Sequence, residues 1–355
     1  MWRNLRASPD LFFGNDVEAS VSDADLRLRR FTETPYNLFV RRAFFIVGPT
    51  ATGKSELAAD VARGTGAEIV SADAFQIYGG LDLLTAKPNA ATLTKAPHQL
   101  IGAIPLHEEM NAEKFRRAAS RAIDEIHSRG KLAIVVGGSG LYIKALTHGL
   151  ASLPVADARL RAKLNSLSLG ELRSRLIALD PQAAGKIDMQ NRRRVVRALE
   201  ICLTTGRRAS AQRTQWHIVA GVVDPGRPGS TIPATDRGVF VFRDRGELYA
   251  RINQRVEVMF ESGVIEEVRA AGAMSSTASQ MIGLREIREL LEGKMSILQC
   301  VAAIQQSTRR YAKRQLTWFR RQTSFEPLNL SLFSHNEAVK WISHRAQRSF
   351  AHRDD

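Results

Sequence analysis

Residues 43–55 read AFFIVGPTATGKS. Five apolar residues, Ala43 to Val47, have the length and composition of a buried strand. They run into Gly48-x-x-x-x-Gly53-Lys54-Ser55, a complete G-x-x-x-x-G-K-[ST] phosphate loop. Leu57, Ala58, Val61 and Ala62 then recur at helical spacing. Strand, loop and helix together are the context this motif needs. Gly48, Pro49, Thr50, Ala51, Thr52, Gly53, Lys54 and Ser55 are therefore expected to hold a di- or triphosphate. Glycines let backbone N–H groups close round an anion, and the helix N-terminus adds positive potential. Lys54 brings a full charge to the outer phosphates, and Ser55 is the expected ligand of Mg2+. The loop by itself names neither the phosphate nor its fate.

Working outward, AEIVSA (67–72) reads as a second strand ending at Asp73, and residues 99–104 as a third. The stretch DAFQIYGGLDLLTAKP (73–88) is too irregular for an element and too long for a tight turn. Such loops beside a phosphate site tend to carry function. Asn111 is placed to cap a helix reaching Gly130, and KLAIVV (131–136) is a further buried strand leading into GGSGLY. This alternation predicts an α/β fold: a P-loop NTPase-like parallel sheet with helices on both faces. The clearest later strand, KLAIVV, runs into Gly137-Gly138 and not into the usual magnesium-binding Asp. Asp73, after the second strand, is the best placed carboxylate.

From about residue 151 the texture is helix after helix. Ser168-x-x-Glu171 is a capping box, Asp180-Pro181 a helix start, and residues 190–204 a helix ending near Gly206. Residues 224–237 are rich in Pro and Gly, and GVFVF (238–242) reads as a strand returning to the sheet. The expected layout is thus a core of 43–150 and 238–330 with a helical insertion domain at 151–237. Residues 1–42, Arg-rich but also acidic, read as a flexible extension, and 331–355 as a mobile tail.

The chain has 355 residues and a net charge of +15, an excess that suits a polyanion partner. The charge is clustered: Arg192, Arg193, Arg194 and Arg197 in the insertion, and TRRYAKRQLTWFR (308–320) near the end, without an acid in it. Arginine and lysine interleaved with aromatics suit nucleic acid. Arg251 and Arg255, four apart, share a helix face. Cys202 and Cys300 form no C-x-x-C pair, which excludes a zinc site of that type and fits a reducing compartment. No apolar run reaches transmembrane length.

GPTATGKS, DAFQIY (73–78), TAKP (85–88), VVGGSGLYIKAL (135–146), RVVRALE (194–200), LYARINQRVEVM (248–259), IGLRE (282–286) and the 308–320 stretch stand in a fixed order. In this order they resemble the tRNA dimethylallyltransferase (tRNA isopentenyltransferase) family, from about residue 43 to 321. The resemblance implies transfer of a dimethylallyl group from its diphosphate to the exocyclic amine of the adenosine 3′ of the anticodon. It implies catalytic roles for Asp73 as base, Arg255 as a second cationic clamp and Ser55 through magnesium. It implies tRNA contacts from Asp73, Ala74, Phe75, Gln76, Ser139, Arg193, Arg194, Val195, Val196, Arg197, Arg285, Lys313, Arg314, Gln315 and Arg320. The expected partners are dimethylallyl diphosphate and the tRNA anticodon stem-loop, with no membrane, in a cytoplasmic monomer.

The sequence departs from the family at Ala74 (usually Ser), at Ser139 in GGSG, at Met189-Gln190-Asn191 and at Leu284. Three other readings share parts of this pattern: an ATP-dependent metabolite kinase, a prenyltransferase acting on free adenine nucleotide, and a non-catalytic RNA-binding switch.

Overall fold

A computed structural model describes residues 43–150, 157–213, 238–322 and 324–351. The expected extension at 1–42 and linker at 224–237 lie outside the described residues. In chain order the core begins with β1 (Ala43–Val47), α1 (Lys54–Thr65), β2 (Glu68–Ser71), α2 (Ala90–Leu93) and β3 (His98–Gln99). It continues with α3 (Ala112–Ser128), β4 (Ala133–Gly137) and α4 (Gly140–His148). The helical segment then supplies α5 (Ala158–Asn165), α6 (Leu169–Leu179), α7 (Pro181–Lys186), α8 (Arg192–Thr205) and α9 (Ala209–Arg213). The chain returns through β5 (Gly238–Phe242), α10 (Arg245–Glu261), α11 (Val264–Ala270), α12 (Leu284–Leu291), α13 (Ile297–Phe319), β6 (Glu326–Asn329) and α14 (His335–Ala351).

The strands form one parallel sheet in the order β3-β2-β4-β1-β5-β6. GVFVF does return to the sheet, with Ile46 of β1 lying between Val136 and Val239. β1 is buried on both faces, as its unbroken apolar run predicts. Phe45 and Val47 pack on one side with α3, α4, α12 and α13. Phe44 and Ile46 pack on the other with α1 and α14. All the parallel strands end at one edge, so the loops after β1, β2, β4 and β5 converge there. That edge is where open α/β sheets bind ligands.

Two expectations need correction. The third strand is only His98–Gln99, because Leu100 and Gly102 both take φ of 62° and turn the chain away. The tail expected to be mobile is largely α14, a helix seated on the sheet. Ala338, Ile342 and Ala346 recur every fourth residue and are buried against the α1 layer. Ser334 and Glu337 cap its start, and His335 Nε2 lies 2.9 Å from Asp60 of α1. The apolar period was in the sequence, beneath the more obvious His and Arg content.

The helical segment has its own small core, built from Leu164, Leu172, Leu176, Val195 and Leu199 among others. Burying each leucine contributes about 1.5–3 kcal/mol. Its caps are those the sequence signals. Ser168 and Glu171 close a capping box, Asn191 and Gly206 bound α8, and Asp180 caps α7. The buried Asp180 also accepts the N–H and hydroxyl of Ser210, which ties α9 to α7. Among the described residues no helix is long and apolar enough to cross a membrane.

Candidate active site

The phosphate loop leaves β1 at Gly48, where a Cβ would lie 2.1 Å from the Val241 carbonyl oxygen. Gly53 takes φ 89° to start α1, a conformation glycine adopts without penalty. Side chains from distant elements grip the loop. Arg243 Nε donates to the Thr52 carbonyl at 2.9 Å, and Arg251 Nε to the Ala51 carbonyl at 2.9 Å. In a trans peptide C=O and N–H point opposite ways. Holding these two carbonyls therefore aims the N–H groups of Thr52 and Gly53 away from the arginines. Thr52 Oγ1 and Lys54 Nζ both donate to the Pro49 carbonyl.

Gln315 of α13 completes the frame. Its Oε1 accepts the Thr50 N–H at 2.9 Å, and its Nε2 donates to the Gly138 carbonyl at 2.8 Å. The side chain is buried. The expected tRNA contact from Gln315 is thus replaced by an internal strut between the phosphate loop and the loop after β4. The helix period explains this: Gln315 lies on the opposite face of α13 from Lys313 and Arg314, which are exposed.

Asp73 follows β2 and lines the same cleft as Lys54, Ser55 and Arg255. Its Oδ1 accepts the N–H groups of Phe75 and Gln76 at 2.9 and 3.2 Å. This local turn fixes the carboxylate and leaves Oδ2 without a protein donor among the described residues. Ser139 Oγ accepts the Ala74 N–H at 2.9 Å, joining the loops after β2 and β4. Tyr311 also lines the cleft. Burial pushes its phenol up, the Asp73 carboxylate adds to this, and the Ser139 hydroxyl opposes it. Tyr311 is therefore a neutral hydroxyl at working pH. His98 Nδ1–H donates to the Ala96 carbonyl at 2.7 Å, and burial lowers its pKa. It is a neutral side chain, and it lines a small cavity with Lys54, Ser55 and Asp73.

Three cations meet at this end of the cleft. Burial pushes the Lys54 ammonium down to about 8, with Asp73 pulling it up and Arg255 pushing it further down. Burial likewise lowers Arg255, Asp73 opposing and Arg251 adding. Arg255 Nε is buried with no hydrogen-bond partner among the described residues. A buried donor left unpaired is costly, so this cation is poised for an anion from outside the chain.

An expected pH dependence follows from Lys54. Below about pH 8 the free protein carries the ammonium, and above it the charge is lost. We expect kcat/KM for a diphosphate ligand to fall towards tenfold per pH unit above about 8. A profile flat to pH 9.5 would count against Lys54 as the titrating group. The stability effect has the opposite sense. The unfolded chain keeps this proton to about 10.5, so the ligand-free fold sheds a burial penalty as pH rises between the two values.

The cleft holds about 570 Å³. Its lining combines the phosphate loop, Asp73, Arg251 and Arg255 with Leu84, Val256, Met259, Met281, Ile282 and Ile304, and of these Leu84, Val256, Met259, Met281 and Ile304 belong to one apolar cluster. A ligand with an anionic head and a short apolar body fits this lining. For a metal, Ser55 lines the cleft, and its hydroxyl makes no hydrogen bond among the described residues. Magnesium typically takes one or two protein oxygens together with water and phosphate. Ser55 and Asp73 fit that donor set, and no cluster of three or more His, Cys, Asp or Glu is found among the described residues.

The other expected RNA residues separate by exposure. Arg193, Arg194, Lys313, Arg314 and Arg320 are exposed. Val195 and Val196 are buried in the core of the helical segment, so neither is available to RNA. Arg197 of the insertion pairs with the buried Glu200 at 3.2 Å. Arg285 is exposed and leans on Glu286 and Glu289 at 3.4 and 3.8 Å. Arg193 donates to the Ser276 carbonyl of the core at 3.2 Å. Phe75 and Gln76 line the cleft, with Gln76 Nε2 donating to the Ala86 carbonyl at 2.9 Å. Leu284 is buried in the main core. Arg243 and Tyr311 carried no positional signal in the sequence; only the fold brings them to the loop.

The IPP transferase family model matches residues 76–322. The chain belongs to the IPP transferase family. It is 42% identical over 278 residues to a tRNA dimethylallyltransferase of Akkermansia muciniphila, covering 78% of this chain and 90% of that one. It is 44% identical over 276 residues to tRNA dimethylallyltransferase 1 of Citrifermentans bemidjiense, covering 77% and 87%. Among solved structures it is similar to the tRNA delta(2)-isopentenylpyrophosphate transferase of Staphylococcus epidermidis. The TM-score there is 0.59 at 32% identity, over 86% of this chain and 99% of that one. The stretch matched by the family model begins after the phosphate loop and Asp73, so the arrangement of those residues stands on the geometry above. In this family member one cleft is lined by the phosphate loop, by Asp73 and by apolar side chains.

Proposed function

We propose that this chain transfers the dimethylallyl group of dimethylallyl diphosphate to the exocyclic amine of the adenosine 3′ of the anticodon in tRNA. The observation that carries the reading is the lining of one cleft: the phosphate loop, Lys54, Arg255 and Asp73 together with apolar side chains that belong to a single cluster. Lys54, Arg255 and the loop N–H groups hold the diphosphate. Magnesium on Ser55, when bound, neutralises further phosphate charge. The adenine amine attacks the allylic carbon, the carbon–oxygen bond breaks, and the electron pair leaves with the diphosphate. The amine proton passes to Asp73 Oδ2. The adenosine reaches this carboxylate only out of its stack, as in other base-modifying enzymes. Every group named lies on one chain, so a monomer suffices, and the substrate implies a cytoplasmic reaction.

The deciding experiment supplies labelled dimethylallyl diphosphate with either tRNA or adenosine monophosphate. Label in tRNA alone supports the proposal. Label in the mononucleotide, phosphoryl transfer from ATP, or binding without turnover would each overturn it.

For the RNA itself, Arg194, Lys313, Arg314 and Arg320 form no ion pair among the described residues, whereas Arg197 does. Phosphate contacts release counterions, so tRNA affinity is expected to fall steeply with salt. Arg194→Ala and Lys313→Ala should each flatten the plot of log Kd against log salt by about one unit or less. Affinity should drop alike across tRNA sequences. Unchanged slope and affinity in both variants would return these residues to the status of solvated surface.

A further inference from the structure

The loop from Gly80 to Pro88 forms one wall of the cleft, and its backbone is strained. Leu81 and Ala86, neither a glycine, take φ of 52° and 49°. Such conformations persist only where the surroundings over-determine them. Within the loop, Thr85 Oγ1 donates to the Leu81 carbonyl at 2.7 Å, and the Lys87 N–H to the Asp82 carbonyl at 3.0 Å. The decisive hold comes from far away in sequence. Glu267 of α11 accepts the Leu83 N–H on Oε1 at 2.8 Å and the Leu84 N–H on Oε2 at 2.9 Å. Both oxygens of one carboxylate thus fix two successive amides, a charge-assisted pair that sets orientation as well as distance.

The consequence lies on the other side of the loop. Leu84 is buried and lines the cleft with Met281 and Ile304. A Cβ on Gly283 would meet Leu84 Cδ1 at 3.1 Å and Ile304 Cδ1 at 3.2 Å, so Leu84 is packed closely against Gly283 and Ile304. Glu267 itself does not line the cleft. We propose that Glu267 is a positioning residue. By pinning Leu83 and Leu84 it holds the wall that limits the length of the prenyl chain the cleft accepts. This rests on the prenyl-transfer reading above.

The test compares wild type, Glu267→Ala and Glu267→Gln, each given tRNA with dimethylallyl diphosphate or with the ten-carbon geranyl diphosphate. Wild type should transfer the five-carbon group and discriminate strongly against the longer one, since an apolar pocket rejects each added methylene by about tenfold or more. In Glu267→Ala, KM for dimethylallyl diphosphate should rise about tenfold with a smaller change in kcat, and discrimination should fall by at least about tenfold. Glu267→Gln, which keeps one amide acceptor, should lie between. If Glu267→Ala does not fold, the Gln variant decides the matter alone. Equal losses for both donors, or an unchanged KM and ratio, would overturn the role. Failure of wild type to transfer either group to tRNA would instead overturn the prenyl-transfer reading, and the inference with it.

Discussion

Asp73→Asn is expected to slow prenyl transfer by about 10²–10⁴-fold, the usual contribution of a positioned general base. The amide oxygen of asparagine still accepts the N–H groups that Asp73 Oδ1 holds on Phe75 and Gln76. The local turn should therefore survive, and only the proton acceptor is lost. Two readouts separate this from misfolding: tRNA affinity should stay near normal, and the thermal melt should change little. A third comes from the neighbouring lysine. The Asp73 carboxylate raises Lys54, so neutralising it should move the alkaline limb for diphosphate binding to lower pH. Turnover near that of wild type would sink the assignment.

Arg255→Ala is expected to cost about 10²–10³-fold in kcat/KM, the scale of removing one preorganised donor to a developing anion. The loss should appear in transfer and not in folding. Arg255 is a buried cation whose Nε finds no partner among the described residues, so its removal should leave the melting temperature of the ligand-free protein unchanged or raised. Function here opposes stability, as is common where an active site keeps charge in reserve for its ligand. Arg255 also depresses Lys54, so the alkaline limb should move up, opposite to the shift in Asp73→Asn. Undiminished transfer at both low and saturating prenyl donor would rule out the clamp.

Much of this was legible in the sequence because it was local. The loop at 48–55 needs glycine at fixed offsets, since only glycine meets the contacts and the φ found at Gly48 and Gly53. Helix caps at Asn111, Ser168 and Asp180 need a short polar side chain beside the first free N–H groups, and each is in place. Parallel strands buried on both faces leave apolar runs, and those of β1, β4 and β5 mark the strands to within two residues. β3 is shorter than its sequence suggests because two left-handed residues, one of them Leu100, end it early.

What the chain could not show by itself was which face of a helix meets which loop. The motif around Lys313, Arg314 and Gln315 is a single basic stretch when read in line. On α13 it divides into exposed cations and a buried strut to the phosphate loop. Val195 and Val196 likewise sit inside an arginine-rich run and face a core. Arg243, Arg251 and Glu267 act on loops about 180 to 200 residues away. No spacing rule encodes such pairs, because they depend on where the parallel strands end and which helices pack across them. The sequence by itself determined the phosphate-loop motif, the sheet and the place of Asp73 after β2, since these rest on backbone geometry within a dozen residues. Tertiary structure alone decided the apolar lining of the cleft and the frame of Arg243, Gln315 and Glu267 that holds its loops, since each is assembled from side chains whose only relation is their meeting in space.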